Sequence, residues 1–276
     1  MNRLFCLIAS IAFAGTIAGA SHAQTAARSG EFVPQVGQAG KDVIWVPTPQ
    51  ALVERMLDMA KVTARDHVID LGSGDGRTVI TAAKKYGATA LGIEYNPEMV
   101  ALSERNAAQA GVSDRARFAK ADIFESDFSK ATVITMYLLP DLNLRLRPKL
   151  LDMKPGTRLV SHAFTMGDWE PDERAEVENR GAMLWIVPAK VNGEWTLRGS
   201  GDPIELSIDQ KYQRFTGTVR RGATSEKVLD GRLSADSISF SFAEGGATRR
   251  FSGHVMGDEI HGSFDGGAAV TGMRRH

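Results

Sequence analysis

Apolar positions after residue 48 recur first at helical spacing and then in short runs separated by polar, helix-forming segments. Leu52, Met56 and Met59 repeat every three or four residues, the period of one helix face. Thr48 precedes a proline and is a plausible N-cap for this segment. The pattern predicts a first helix over residues 49–61.

The next hundred residues alternate between short apolar runs and amphipathic segments. Predicted strands cover 67–71, 89–95, 116–121, 131–138 and 157–163, and predicted helices cover 77–86, 97–110 and 141–153. Strands that alternate with helices at this spacing are typical of a parallel sheet with helices on both faces. The sequence therefore predicts a doubly wound α/β domain.

The pattern changes from residue 183 onward, and helical periodicity is absent beyond residue 203. Two strand-like runs flank Asn192-Gly193, a dipeptide typical of hairpins, and a stretch of small residues follows at 199–203. Beyond it, RFTGTV (214–219) resembles RFSGHV (250–255), and serines alternate with Ile238, Phe240 and Phe242. We predict one domain over 41–198 and a small antiparallel β meander over 203–276. Closure of the meander into a barrel is left open.

The first 23 residues have the pattern of an export signal. Arg3 precedes an uncharged apolar run at 4–20, and Ser21-His22-Ala23 supplies small residues at the cleavage positions. We expect a signal peptide at 1–23, a periplasmic or secreted mature chain, and no membrane span after cleavage. The alternative is an uncleaved inner-membrane anchor through residues 4–20.

Composition narrows the function classes. Lys plus Arg and Asp plus Glu both number 33, so the formal net charge is zero and no nucleic-acid partner is expected. Cys6 is the only cysteine and lies in the predicted signal, so the mature chain has no thiol chemistry. No His, Asp and Glu spacing suggests a metal site.

Chemistry is concentrated in VIDLGSGDG (68–76), a strand that runs into a glycine-rich loop. Gly72, Gly74 and Gly76 are spaced G-x-G-x-G, whereas the dinucleotide fingerprint requires G-x-G-x-x-G and here has Arg77 at its last position. A NAD-dependent oxidoreductase is therefore a weak interpretation. The glycines favour a ligand that lies against bare backbone.

Acidic residues at the ends of three strands favour S-adenosylmethionine as that ligand. Asp70 precedes the loop and suits a cationic sulfonium. Glu94 ends the second strand and suits a ribose diol, although it would serve a dinucleotide equally. Asp122 follows the third strand and suits an adenine amino group.

The motifs VIDLGSGDG, GIEYNPE and KADIF, followed by the strand ATVITMYLLP, resemble those of class I S-adenosylmethionine-dependent methyltransferases. PTP before the first helix and DLGSGDGR in the loop make the chain similar to a bacterial group related to mitochondrial and archaeal lysine methyltransferases. The resemblance covers about residues 43–170 and not the tail. It implies a Rossmann-like fold, and it implies cofactor-binding roles for Thr48, Asp70, Gly72, Gly74, Glu94, Asp122 and Ile123.

The segment after the fourth strand, YLLPDLN (137–143), departs from the lysine methyltransferases and leaves the acceptor open. Tyr137, Asp141 and Asn143 are the catalytic candidates, because they should lie near the switch between strands one and four. Tyr137 can stack on a methylammonium and Asn143 can accept from an amine. Their alternatives are a core aromatic, a helix cap and a solvent-facing residue. His162 is interpreted as structural.

The predicted function is methyl transfer by in-line attack, to a protein lysine or other amine or to a small molecule. The alternative is an exported, non-catalytic binding module that retains the fold. The oligomeric state is not predicted.

Overall fold

A computed structural model describes residues 32–276, so the predicted signal peptide lies outside the described residues. The helices of the described part are α1 (Gln50–Met59), α2 (Arg77–Tyr86), α3 (Pro97–Ala110) and α4 (Pro140–Leu151). The strands of its first sheet are β1 (His67–Leu71), β2 (Thr89–Glu94), β3 (Ala116–Lys120), β4 (Val133–Met136), β5 (Arg158–His162), β6 (Glu173–Val177) and β7 (Arg180–Ile186).

The first sheet has the strand order β3-β2-β1-β4-β5-β7-β6. The strands β1 to β5 are parallel, and β7 pairs antiparallel with both β5 and β6. The chain reverses direction across the sheet between β1 and β4, where open α/β sheets bind ligands. The predicted doubly wound fold is therefore confirmed.

Local sequence explains why the predicted helix bounds agree with the structure. The α3 helix begins after Asn96, whose side chain accepts from the Glu98 N–H, and it has Pro97 at its first position. It ends at Gly111, which has a left-handed φ of 71°. The α2 helix ends in the same way at Gly87.

A second sheet follows, formed by β8 (Gly193–Arg198), β9 (Ile204–Lys211), β10 (Arg214–Arg221), β11 (Thr224–Lys227), β12 (Leu229–Ser234), β13 (Ser237–Glu244), β14 (Ala247–Met256), β15 (Glu259–Phe264) and β16 (Ala269–Arg275). Its order is β11-β10-β12-β13-β14-β15-β16-β8-β9, and an additional β9–β10 pairing closes it. Within the described residues this is a closed antiparallel barrel, with β11 attached to the side of β10.

Side chains fill the barrel interior. Phe240 contacts the rings of Phe251 and Phe264 at centroid separations of 5.1 and 6.5 Å, and Trp195 is fully buried nearby in the same apolar cluster. Small barrels have an interior just wide enough for such packing. The predicted meander is confirmed, and its interior is a core.

The hairpin predicted across Asn192-Gly193 is wrong. The β7 strand pairs in the first sheet, whereas β8 pairs with β16 and β9. Trp195 and Leu197 of β8 bury their side chains in the barrel cluster, which overrides the local turn signal. The chain passes from one sheet to the other at 187–192, before the predicted boundary at 199–202. Whether 41–198 and 203–276 are separate domains stays a prediction.

The turn between β9 and β10 packs on the loop that follows β5. Tyr212 stacks on Trp169 with a centroid separation of 5.7 Å, and the Trp169 Nε1 donates to Gln213. Trp169 and Trp185 are fully buried, as is Trp195 in the barrel, so these three tryptophans belong to cores. None of the helices described in residues 32–276 is long and apolar enough to cross a membrane.

Candidate active site

A cavity of about 310 Å³ opens beyond the carboxyl ends of β1 to β4. Its volume is within the range of small-molecule sites. All of the predicted cofactor residues line it: Thr48, Asp70, Gly72, Gly74, Glu94, Asp122 and Ile123. Tyr137 also lines it, whereas Asp141 and Asn143 are not part of its wall.

The glycine loop adopts a backbone that side chains disfavour. Gly72 and Gly74 have φ values of 79° and 55°, in the left-handed region that glycine enters without steric cost. A Cβ on Gly74 would lie 2.6 Å from the Trp45 Nε1. The loop therefore presents bare backbone to the cavity between β1 and α2.

Glu94 fixes this loop to the end of β2. Its Oε2 accepts from the Gly74 N–H at 3.0 Å, and its Oε1 accepts from the Asn96 N–H at 2.9 Å. Carboxylate oxygens can each accept more than one hydrogen bond. Glu94 thus shapes the loop and still has acceptor capacity facing the cavity.

Asp70 is a buried carboxylate at the start of the loop. Its Oδ1 accepts from the Thr135 hydroxyl at 2.6 Å. Burial raises the pKa of Asp70 to about 7, and the charges of Glu94 and Asp75 add to this effect. Nearby, the Ser73 hydroxyl is buried without a hydrogen-bond partner. The Asp70 carboxylate suits a cationic, polar ligand.

Residues 34–45 form a flap over the cavity that the sequence analysis missed. The Gly37 N–H donates to the Trp45 carbonyl, and the Trp45 N–H donates to that of Gln38. Lys41 of the flap pairs with Asp122 at 3.0 Å. The apolar run VIWV (43–46), directly before PTP, was the sequence feature that could have indicated the flap.

Asp122 follows β3, and its carboxylate is held on both sides. Its Oδ1 accepts from the Phe124 N–H at 2.9 Å, and this contact together with Lys41 holds the pKa of Asp122 below its usual value. The carboxylate is thus an ionised acceptor at the edge of the cavity.

Aromatic rings line the cavity after β4 and β5. Tyr137 stacks on His162 with centroids 3.7 Å apart, and its ring is 5.9 Å from that of Phe164. The His162 Nδ1 lies 3.0 Å from the Thr48 hydroxyl. The N-cap of α1 is Pro49 and no side chain caps it, so the N-cap role predicted for Thr48 is wrong. Burial lowers the pKa of His162 to about 4, with a smaller effect of Arg180. His162 is a neutral packing residue, as predicted.

Asp141 and Asn143 have other positions than predicted. Asp141 is exposed in the first turn of α4, and the N-cap of that helix is Leu139. Asn143 is fully buried and donates to the carbonyls of Phe164 and Thr165. Helical geometry directs Asn143 toward the β5 loop. Among residues 32–276, no group of three His, Cys, Asp or Glu side chains could hold a metal ion.

Comparisons with known proteins agree with this geometry. A profile of the ANTKMT methyltransferase domain matches residues 70–173. The chain is 47% identical over 154 residues to a protein-lysine N-methyltransferase of Saccharolobus islandicus, covering 55% of this chain and 95% of that protein. The chain belongs to the class I S-adenosylmethionine-dependent methyltransferases.

Two further relatives share the methyltransferase region. The adenine nucleotide translocase lysine N-methyltransferase of Mus musculus is 32% identical over 139 residues, which are 50% of this chain and 59% of that protein. The crystal structure of an RNA methyltransferase from Salinibacter ruber, in complex with S-adenosyl-L-homocysteine, is 48% identical. It covers 53% of this chain and 96% of that one, with a TM-score of 0.52. These matches show that the cofactor of the present chain is S-adenosylmethionine.

The cavity fits that cofactor. The cradle at Gly74 and the carboxylates at or just after the ends of β1, β2 and β3 match a ligand with a cationic centre and several polar groups. The glycine spacing that argued against a dinucleotide agrees with this result.

Proposed function

We propose that this methyltransferase transfers a methyl group to the side-chain amine of lysine in a protein acceptor. The observation that carries the proposal is the 47% identity to a protein-lysine N-methyltransferase over 95% of that protein's length. The aromatic cavity wall formed by Tyr137 and Phe164 also supports the proposal. An amine must lose its proton before it attacks, and apolar surroundings favour the neutral amine.

Each cofactor residue has a proposed role. Glu94 accepts from the ribose hydroxyls, and Asp122 with Ile123 holds the adenine. Asp70 and the backbone at Gly72 and Gly74 face the methionine end, and Thr48 contacts its carboxylate. Their common position on the cavity wall supports these assignments.

The cofactor, when bound, supplies an electrophilic methyl group on a sulfonium. The lysine nitrogen forms the new N–C bond as the S–C bond breaks, its electron pair stays on sulfur, and the amine proton passes to solvent. Tyr137 and Phe164 orient the amine along that line and exclude water. Positioning of this kind can supply a large part of a rate enhancement.

An RNA acceptor is the second candidate, since the Salinibacter ruber structure is described as an RNA methyltransferase at 48% identity. The zero net charge of this chain argues against an RNA footprint. A small-molecule acceptor is the remaining alternative, whereas the match to methyltransferases argues against the non-catalytic binding module.

We also propose export. The basic residue, apolar run and small residues of the first 23 positions support a cleaved signal and a periplasmic or secreted enzyme. The inner-membrane anchor through 4–20 is the alternative. Fractionation of cells that make the tagged chain tests both. A mature N-terminus at Gln24 in the periplasm supports export with cleavage, an uncleaved membrane-bound chain supports the anchor, and an uncleaved chain in the cytoplasm overturns both.

The experiment that tests the lysine proposal uses S-adenosylmethionine with a CD₃ methyl group. The chain from Gln24 is incubated separately with protein, RNA and small-molecule fractions of the producing organism, and labelled products are identified by mass spectrometry. We expect CD₃ on protein lysine, lost with Glu94→Ala. Label in RNA alone or in a small molecule alone would contradict the proposal, as would no label from a chain that binds the cofactor.

A further inference from the structure

Ala163, directly after β5, has a backbone conformation that is rare for a residue with a Cβ. Its φ is 62°, and the Phe164 N–H donates to the His162 carbonyl at 2.8 Å. A hydrogen bond from residue i+2 to residue i across a positive φ defines the strained form of the γ-turn. Strain of this kind persists only where the surroundings hold it.

The strained turn brings two rings to the same place. His162 and Phe164 are the residues on either side of Ala163, and both rings stack against Tyr137. Phe164 and Tyr137 line the cavity on the side away from Glu94 and Asp122. The turn therefore determines the shape of the wall that faces the acceptor.

One face of α4 holds the loop that follows the turn. Asn143 donates to the carbonyls of Phe164 and Thr165 at 3.4 and 3.2 Å. One helical turn later, Arg147 donates to the Met166 carbonyl at 2.9 Å and to Asp168 at 2.7 Å. These contacts explain the burial of Asn143.

The barrel holds the same loop from the other side. The Tyr212 hydroxyl donates to Asp168 at 2.8 Å, and Lys211 pairs with that carboxylate at 3.1 Å. Gln213 accepts from the Trp169 Nε1 at 3.0 Å and donates to the Glu170 carbonyl at 2.7 Å. Hydrogen bonds from Tyr212, Lys211 and Arg147 hold the pKa of Asp168 well below its usual range.

We propose that the β9–β10 turn of the barrel and the strained turn at Ala163 hold Phe164 in place in the cavity wall that faces the acceptor. Tyr212 and Gln213 are thus positioning residues for methyl transfer although they do not line the cavity. The proposal rests on the proposed function only for the identity of the acceptor. It assigns the barrel a role in catalysis that the family match at 70–173 does not cover.

The first measurement is amide hydrogen exchange of the full mature chain over residues 163–170. Gln213→Ala removes both side-chain hydrogen bonds from Gln213 to the loop. Gln50→Ala is the matched control, because its side chain also makes two hydrogen bonds, to Glu54 and Thr81, away from the turn and the loop. We expect exchange of 163–170 to become at least tenfold faster in Gln213→Ala and not in Gln50→Ala. Equal exchange in the two variants would overturn the proposal.

The second measurement separates positioning from simple stability. Ala163→Gly removes the steric strain, so its melting temperature is expected to equal or exceed that of the unchanged chain. The kcat/KM for the labelled protein acceptor is expected to fall about tenfold, while the Kd for S-adenosylmethionine stays the same. A variant with unchanged kcat/KM would contradict the proposal.

These measurements distinguish the two proposals. If the unchanged chain labels no lysine, the lysine proposal fails, and hydrogen exchange still decides whether the barrel holds the loop. If lysine is labelled, exchange of 163–170 is equal in Gln213→Ala and Gln50→Ala, and Ala163→Gly keeps its kcat/KM, only the positioning proposal fails.

Discussion

Asp70 illustrates a conflict between stability and binding at a single residue. Its carboxylate is buried and its pKa rises from 3.8 to about 7, chiefly through burial. Between these two values the folded chain binds a proton that the unfolded chain has released. The free energy of unfolding therefore falls as the pH rises through this window.

The Asp70→Asn substitution should remove this pH-dependent loss of stability. Asparagine does not ionise, so we expect a free energy of unfolding higher by on the order of a few kcal/mol at pH 8 and little changed at pH 4. Affinity for S-adenosylmethionine should fall at least tenfold. Denaturant unfolding at both pH values and calorimetric titration measure these effects. Exposed Asp141→Asn is the control, and equal stability changes in both variants would contradict the argument.

Gly74 tests whether the loop must present bare backbone. Gly74→Ala introduces a Cβ 2.6 Å from the Trp45 Nε1, whereas Gly111→Ala meets nothing within 4 Å. Both residues have positive φ, which alone costs roughly 1 kcal/mol of stability in each variant, and the contact with Trp45 adds to that cost only in Gly74→Ala. Only Gly74→Ala should weaken S-adenosylmethionine binding, by tenfold or more in calorimetry. Equal binding by the two variants would show that the contact is not needed.

The flap of residues 34–45 covers the cavity, which the sheet alone would leave open. Trp45 lies against the glycine loop, and Lys41 reaches Asp122 on the far side. Trp45→Ala should open this cover and raise the dissociation rate of S-adenosylmethionine about tenfold, because the indole excludes solvent. Trp45→Phe should retain most of the affinity. Stopped-flow dissociation measures both rates, and equal rates for Ala and Phe would contradict the role of the ring.

Periodicity and local turn residues made the α/β elements predictable. The strand 67–71 and the helices 77–86 and 97–110 have the predicted bounds, since glycines or an Asn-Pro pair mark most of their ends. The cofactor residues were predictable because the loop and the strand ends are local in sequence. The roles assigned to them stay predictions.

The cavity wall formed by Tyr137 and Phe164 was not predictable in the same way. Its shape depends on contacts between residues far apart in sequence, such as Thr48 with His162 and Trp169 with Gln213. Tyr137 was found because it follows β4, whereas Phe164 depends on a strained turn with no sequence signature. The hairpin at Asn192-Gly193 failed for the related reason that barrel packing outweighs a local turn preference.

At the scale of the whole molecule, the barrel and the methyltransferase sheet share one loop. The Saccharolobus islandicus relative aligns over 154 residues, 95% of its own length, so a methyltransferase region can exist without the barrel. In this chain, however, Trp169 is covered by Tyr212 and bonded to Gln213. Removal of the barrel therefore also removes contacts that hold the loop after β5.

Truncation at two points tests how the barrel is connected. A chain of residues 24–200 keeps β8 with Trp195 and Leu197 but lacks their partners β9 and β16, whereas a chain of 24–187 ends with the first sheet. We expect the longer chain to aggregate, because β8 then presents an apolar edge strand. The shorter chain should stay soluble and bind S-adenosylmethionine but methylate protein at least tenfold more slowly. Size-exclusion chromatography and calorimetry compare the two. A soluble 24–200 beside an aggregated 24–187 would mean that β8 belongs with the first sheet, contrary to its pairing in the barrel.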